Sequence, residues 1–337
     1  MKKYLLDPNK NFYKGNMHCH SNLSDGNFSP EKLKEIYKER GYSFLAITDH
    51  EFFVNHKYLD DEDFITVTSA EYAIKEFPDQ STMKNFDMKV CHLNFYAKEQ
   101  DNDFCVDYNS AADHYSRKNV GLVLNKPEYD VERVYGAKGI NKLVRDANEN
   151  GFFVAYNHPR WSLENYRDYS GYEGLWGVEI YNHACSVNGL YEYDINVYDD
   201  MLRDGKRVFA SCGDDNHNST SNPLLSSFGA FVMVNADRLN YENIINGLLS
   251  GKFYSSQGPV INELYVEENK VFIKCSDAKK ISYSTRGRRA KAVNAAEGEF
   301  IKEACFEIKD TDGYFRIDVL DGEGRHANTQ AYFADEI

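Results

Sequence analysis

Residues 16–50, NMHCHSNLSDGNFSPEKLKEIYKERGYSFLAITDH, hold four candidate metal ligands, His18, His20, Asp25 and His50. His18 and His20 stand two apart, and alternate residues of an extended strand point to one face, so both imidazoles can reach one ion. Asp25 follows in a loop with Gly26, and His50 closes the next apolar run, Ser43 to Ile47, through Thr48 and Asp49. Farther along, five more residues of suitable type stand at or near the ends of apolar runs: Glu71, His92, His158, Asp215 and His217. Six of the ten histidines fall into this pattern. The chemistry these types allow is binding of divalent cations, since imidazole suits zinc, iron and manganese while carboxylates offset charge and can bridge two ions.

Residues so far apart share a pocket only if the elements between them return each strand end to one face. Ser29 is placed as an N-cap with Pro30 at the first helical position, Leu33, Ile36 and Tyr37 form an apolar stripe, and Gly41 ends the helix. The opening stretch is thus a strand–helix–strand unit. FITVTSAEY predicts a strand ending at Glu71, VCHLNFYA one with His92 near its start, and VGLVLNKP a short apolar strand. Residues 101–118 carry only a weak helical pattern. From Ile140 the positions Leu143, Val144 and Ala147 recur at helical spacing, with Gly151 as the stop. FFVAYNHP then carries His158 to a strand end at Pro159. LWGVEIYN predicts a strand, YDINVYDDMLRDG a helix, RVFASCGDDNH a strand delivering Asp215 and His217, SFGAFVMVNA a strand and YENIINGLLSG a helix. This alternation favours a parallel sheet closed as a barrel, whose strand ends converge at one mouth. Beyond Gln257, Gly258 and Pro259 come short alternating stretches without helical period, an all-β appendage of about eighty residues, the size of a small sandwich.

The H-x-H of His18 and His20, the S-D-G of Ser24, Asp25 and Gly26, the S-P-E opening a helix and the closing T-D-H resemble the first two motifs of the PHP (polymerase and histidinol phosphatase) superfamily of metal-dependent phosphoesterases. SAEY resembles the third motif, CHLNFY carries the next histidine, NHP resembles the following signature, and GDDNH stands where GSDAH is common. The resemblance implies an α/β fold: a distorted (β/α)7-type barrel over residues 1–256, followed by a small all-β sandwich domain over 257–337. It implies three divalent metal ions, Zn, Fe or Mn. His18, His20, Glu71 and Asp215 would hold the first; Glu71 would bridge to a second held also by His92 and His158; Asp25, His50 and His217 would hold the third. Asp214 departs from the pattern, standing where a small residue is usual, and leaves open which of the two aspartates faces the ions. The implied activity is hydrolysis of a phosphate ester, a monoester or diester of a small metabolite or nucleotide, by a hydroxide bridging the first two ions, with His217 or Asp25 available to protonate the leaving oxygen. A carbamate or amide hydrolase on the same ions is one alternative, and a catalytically idle, metal-stabilised binding module is another.

Arg160 and Trp161, directly after NHP, offer a phosphate clamp and a stacking surface, or else a solvated arginine beside a core tryptophan. Lys126 is a second candidate clamp. His56, His114 and His326 read as hydrogen-bonded structural histidines, His183 equally as pocket or structural residue. Asp49 reads as an acceptor behind the ligands, and Glu179 as either a pocket residue or a buried ion-pair partner. The formal charge is −14, from 39 Lys and Arg against 53 Asp and Glu, which argues against stable nucleic-acid binding or attachment to an anionic membrane. A small phosphorylated substrate is the expected partner, because bound cations reverse the sign inside a pocket. The seven cysteines are scattered without a C-x-x-C pair and read as reduced thiols; strand alternation turns Cys19 and Cys91 away from the neighbouring ligands. The opening MKKYLLDPNK is too short an apolar run for a signal peptide and no run is long enough to cross a bilayer, so a cytoplasmic protein is expected, of oligomeric state not legible here.

Overall fold

The structure is a computed structural model, and it describes residues 2–77, 88–111 and 121–337. His114 and residues 112–118 of the weak helical pattern, both noted above, lie outside the described residues.

After β1 (Lys3–Leu6), β2 (Asn11–Asn16) leads to the H-x-H segment. Helix α1 (Pro30–Glu39) begins where its cap predicts: Ser29 Oγ accepts from Lys32 N at 3.3 Å, and Pro30, Leu33, Ile36 and Tyr37 form the buried stripe. β3 (Phe44–Ile47) pairs parallel with β2, and Gly15 faces Phe44 so closely that a Cβ there would meet the ring at 2.1 Å. β4 (Ile65–Lys75) pairs parallel with β3.

Here the parallel order breaks. β5 (Val90–Ala97) runs antiparallel to β4 and to β6 (Phe152–Tyr156), which follows α2 (Ala137–Glu149). The ladder with β5 carries β4 on to Lys75, so Glu71 lies inside its strand rather than at the end. After the one-turn α3 (Tyr166–Tyr169), β7 (Gly177–Asn182) returns to parallel pairing with β6. α4 (His183–Val187) and α5 (Ile195–Arg203) lead to β8 (Phe209–Gly213), parallel to β7. β9 (Phe231–Ala236), α6 (Tyr241–Leu249) and β10 (Phe253–Ser256) follow, β9 lying antiparallel on the other side of β2. The stretch expected as a strand at 120–127 pairs with no sheet over 121–127; Val123 is 98% exposed, and its neighbour Asn125 instead gives its carbonyl to Cys105 N.

The C-terminal part is antiparallel throughout: β11 (Ile261–Glu267), β12 (Lys270–Ala278), β13 (Lys280–Thr285), β14 (Ala290–Asn294), β15 (Ile301–Glu307), β16 (Tyr314–Leu320), β17 (His326–Thr329) and β18 (Tyr332–Phe333). Burial alternates along β12 and β13, turning Val271, Ile273, Ile281 and Tyr283 into one apolar cluster. The molecule is therefore mixed α/β with a large sheet and a second, β-rich part. A 14-stranded sheet runs β14-β13-β16-β17-β10-β9-β2-β3-β4-β5-β6-β7-β8, with β18 on β16, and a 4-stranded sheet runs β1-β11-β12-β15. Period-two alternation gives the large sheet two buried faces: Leu93, Phe95, Val154 and Tyr156 pack with α2, and Tyr96, Phe153 and Ala155 with α6.

β8 ends the strand order. On its far side no strand among the described residues pairs with Ala210 through the backbone; its N–H donates to Gln330 Oε1 (2.7 Å), and its carbonyl accepts from Gln330 Nε2 (3.1 Å) and from Ser255 Oγ of β10 (2.7 Å). Beyond the ends of β2 and β8 the backbones do join, since Asp215 N donates to His18 O (2.8 Å) and His20 N to Asn216 O (3.1 Å). Cys19 therefore makes an isolated parallel bridge with Asn216, although regular β2 stops at Asn16. No helix among the described residues is long and apolar enough to cross a membrane.

Candidate metal centre

Those two backbone bonds press residues 18–20 against 214–217, while β3, β4, β5 and β6 deliver the other side chains. His50 lies three residues past β3 and bridges to Glu71; His92 is opposite Ala73 on β5; His158 lies two residues past β6. His158 and Asp215 both adopt positive φ, 23° and 52°, where the chain turns at a strand end.

Glu71 is the hub. Its Oε1 is 3.2 Å from His18 Nε2, 3.1 Å from His92 Nδ1 and 3.3 Å from His158 Nε2, and its Oε2 is 3.3 Å from both His20 Nε2 and His50 Nδ1. Asp215 Oδ1 lies 3.3 Å from His18 Nε2 and 3.1 Å from His20 Nε2. Asp25 Oδ2 lies 3.4 Å from His217 Nε2 and 3.6 Å from His50 Nε2, and its Oδ1 is 3.6 Å from His20 Nδ1. The structure thus gathers His18, His20, Asp25, His50, Glu71, His92, His158, Asp215 and His217 in overlapping groups whose ligand atoms lie within 4.8 Å of one another, and all of them except the fully buried His18 and His20 line one cavity of about 250 Å³. Burial is nearly complete except for Asp25 and His217, whose side chains are each 30% exposed at the mouth.

The donor set fits divalent cations. Nε2 of His18 and both ring nitrogens of His20 are buried 3.1–3.6 Å from carboxylate oxygens yet make no well-directed hydrogen bond to them. Orphaned polar atoms of this kind cost about 1–3 kcal/mol each, a cost that coordination removes. The protein's own electrostatics are already polarised. Burial opposes ionisation of Glu71, but His18 and His92 hold it well below the usual carboxylate range. Burial drives His92 down to about 4, whereas Glu71 outweighs burial at His158 and lifts it to about 9.

A second layer fixes the rings. Glu179 Oε1 meets His18 Nδ1 at 3.0 Å, and Oε2 accepts from His158 N (3.1 Å) and Asn182 Nδ2 (3.0 Å), so this one carboxylate orients two of the histidine segments. Asp49 accepts from Ser21 N (2.8 Å), Ser21 Oγ (2.5 Å) and Ser24 Oγ (2.6 Å), folding the loop that carries Asp25. Asp214 faces away. It accepts from Phe228 N, Gly229 N, Ala230 N and the Tyr37 hydroxyl at 2.7–3.0 Å, and burial raises its pKa.

Other sequence-selected residues lie elsewhere. Arg160 is exposed and its side chain is not part of the cavity wall; its N–H donates to Glu192 (2.9 Å). Lys126 lies over the Tyr108 ring. His183 bonds Tyr181 and packs against Gly229, His326 pairs with Asp318, and His56 is buried beside a 3-10 turn. Cys19 and Cys91 are core residues. Three residues that the sequence did not single out contribute: Asn157 donates to Glu71 Oε1 (2.8 Å), Asn182 to Asp215 Oδ2 (3.1 Å), and Glu192 accepts from Arg160 N and Trp161 N. The only sequence signal for the asparagines is a polar residue at the end of an apolar strand.

No family model matches the chain, and no curated protein does. Among solved structures, it is similar to a two-domain protein containing a predicted PHP-like metal-dependent phosphoesterase from Bacteroides vulgatus, at 13% identity and TM-score 0.42, over 98% of this chain and 89% of that one. It is also similar to a putative metal-dependent phosphoesterase from Bifidobacterium adolescentis (16% identity, TM-score 0.34, 60% and 87% of the two chains) and to an amidohydrolase from Chromobacterium violaceum with bound sulfate and no metal (15%, 0.36, 60% and 87%). Likenesses of this order carry no argument about activity, and the function is read from the cavity.

Proposed function

We propose that this chain is a metal-dependent hydrolase acting on a phosphate ester of a small metabolite or nucleotide, with three divalent ions, Zn, Fe or Mn, in the cavity. The observation that carries this reading is the crowding of five imidazoles around the two oxygens of Glu71, all within 3.3 Å. His18, His20, Glu71 and Asp215 would hold one ion; Glu71, His92 and His158 a second; Asp25, His50 and His217, with His20 close by, a third. Such ions supply Lewis acidity and acidified water when bound. The chain's own residues do the rest. Glu179 and Asn157 hold the ligands in register before substrate arrives. Asp25 and His217, the solvent-facing pair, stand at the mouth through which water and protons would exchange with the leaving oxygen. Cytoplasmic operation on a small substrate, without nucleic acid or membrane, belongs to the same proposal.

We read β2 to β8 as a distorted (β/α)7-type barrel, a reading supported by the bonds between 18–20 and 215–216. The division into a barrel over 1–256 and a β domain over 257–337 is likewise our reading of where helices stop.

A second reading, hydrolysis of a carbamate or amide on the same ions, is favoured by the neutral outer wall of the cavity, made of Trp161, Ala184, Cys185, Asn188 and Leu190. The test is to chelate the protein, restore Mn, Fe or Zn, and follow phosphate release from monoesters and diesters beside alcohol release from carbamate esters. Replacing even an outer partner of a metal ligand costs about 10–100-fold, so Glu71→Gln should lower turnover at least about a hundredfold and reduce bound metal by elemental analysis. A fully metallated, active Glu71→Gln protein would defeat the hub role, and full metal content without turnover on any ester would leave a binding module.

A further inference from the structure

We infer that the cavity selects substrates whose leaving group is a flat, uncharged ring, and that Trp161 is the residue that selects it. The inference rests on the reading of this cavity as a site of hydrolysis, and it names the substrate class.

Trp161 is 40% exposed, whereas Trp176, the chain's other tryptophan, is buried in the core. Trp161, unlike Trp176, lines the cavity that holds the ligand cluster. Its inner side rests on two histidines of the centre, with ring centroids 4.9 Å from His92 and 5.0 Å from His158. A group bonded to phosphorus over Glu71 would therefore lie within reach of the indole, which lines the same cavity. Beyond the metal-ligand residues the same cavity is lined by Ala184, Cys185, Asn188 and Leu190, with Leu190 itself 39% exposed. This slot presents apolar and neutral polar surface, to which a planar ring stacked on tryptophan is the best complement.

The platform is built in advance of binding. Arg160 N and Trp161 N donate to the buried Glu192 carboxylate at 2.9 and 3.1 Å, and Ser162 N bonds back to His158 O at 3.1 Å. Leu190, two residues before Glu192, bonds Cys185 O at 3.0 Å, so one anchor sets both walls of the slot. In the reaction water adds to phosphorus, the bond from phosphorus to the ring-bearing oxygen breaks, and that oxygen takes up a proton, releasing phosphate and a ring alcohol.

The test uses the metal-loaded full chain and two readouts. Binding of phenylphosphonate, which cannot be hydrolysed, is compared with methylphosphonate by calorimetry, for the wild type, Trp161→Ala and Trp161→Phe. Phosphate release is then compared for phenyl phosphate and glycerol 3-phosphate. Stacking of one ring on an aromatic side chain is worth roughly tenfold or more in affinity, so the wild type should prefer phenylphosphonate by about that factor, Trp161→Phe should keep most of it, and Trp161→Ala should lose it. The ratio of kcat/KM for the two esters should fall in parallel. A preference that survives in Trp161→Ala, or is absent from the wild type, overturns the inference even if phosphate is released. If the preference depends on Trp161 but neither ester is cleaved, the platform stands and the phosphoesterase reading falls.

Discussion

Asp214 and Asp215 are neighbours with opposite circumstances. Asp215 turns at φ 52° toward His18 and His20, while Asp214 ties down the backbone of 228–230 and the hydroxyl of Tyr37. Asp214→Ala should therefore cost about 3 kcal/mol in chemical denaturation, because it strands several buried donors, yet leave metal per folded molecule unchanged. Asp215→Asn should do the reverse, keeping the midpoint and losing metal by elemental analysis. Equal metal loss in both would show that the two share one task. The sequence could place a carboxylate after this strand but not choose between the pair, since the choice is made by a left-handed turn and by donors from a loop fourteen to sixteen residues on. The imidazoles were easier to read because each follows or lies in an apolar run, and strand ends are where open positions gather. Arg160 shows the opposite failing: the right chemical type beside a histidine does not fix where a long side chain points.

Between elements, the segment 188–194 connects the centre to the rest of the molecule. Burial, and then the neighbouring Asp194 carboxyl, push Glu192 up to about 8. A carboxyl raised in the folded state adds stability that is complete below its ordinary value near 4.5 and is lost as pH rises through about 8. The wild type should lose stability over that interval, and Glu192→Gln should flatten the decline when thermal midpoints are measured from pH 5 to 8; an unchanged slope would count against the buried protonated acid. Nothing local marks Glu192, whose partners are some thirty residues back. Helix α1 lies at the other extreme, because Ser29, Pro30 and the stripe to Tyr37 are all local signals. Strand direction sits between them: the apolar runs of β4, β5 and β6 are visible, but hydrophobic pattern says nothing about antiparallel order. The run at 121–127 misled for the same reason, since a strand needs an edge to join.

At the scale of the whole molecule, the β-rich part is tied to the part that carries the candidate metal centre through buried polar contacts. Arg316 on β16 makes two 2.8 Å bonds to Asp199 on α5, Tyr193 reaches Asp318 and Asn328 and stacks on His326, and β10 pairs with both β9 and β17. Truncating one partner of a buried ion pair costs about 3–5 kcal/mol, so Arg316→Ala should shift a single cooperative unfolding transition downward rather than split it, as followed by calorimetry. Two separated transitions in the wild type would show that the parts fold independently.

The amide of Gln330 and the hydroxyl of Ser255 occupy the flank of β8 where a further ribbon of backbone would otherwise dock. They act as a cork. A chain shortened before Gln330 would strand the buried Ala210 N–H without an acceptor while β9 and β10 stay packed on β8, so these late residues complete the strand that leads to Asp215.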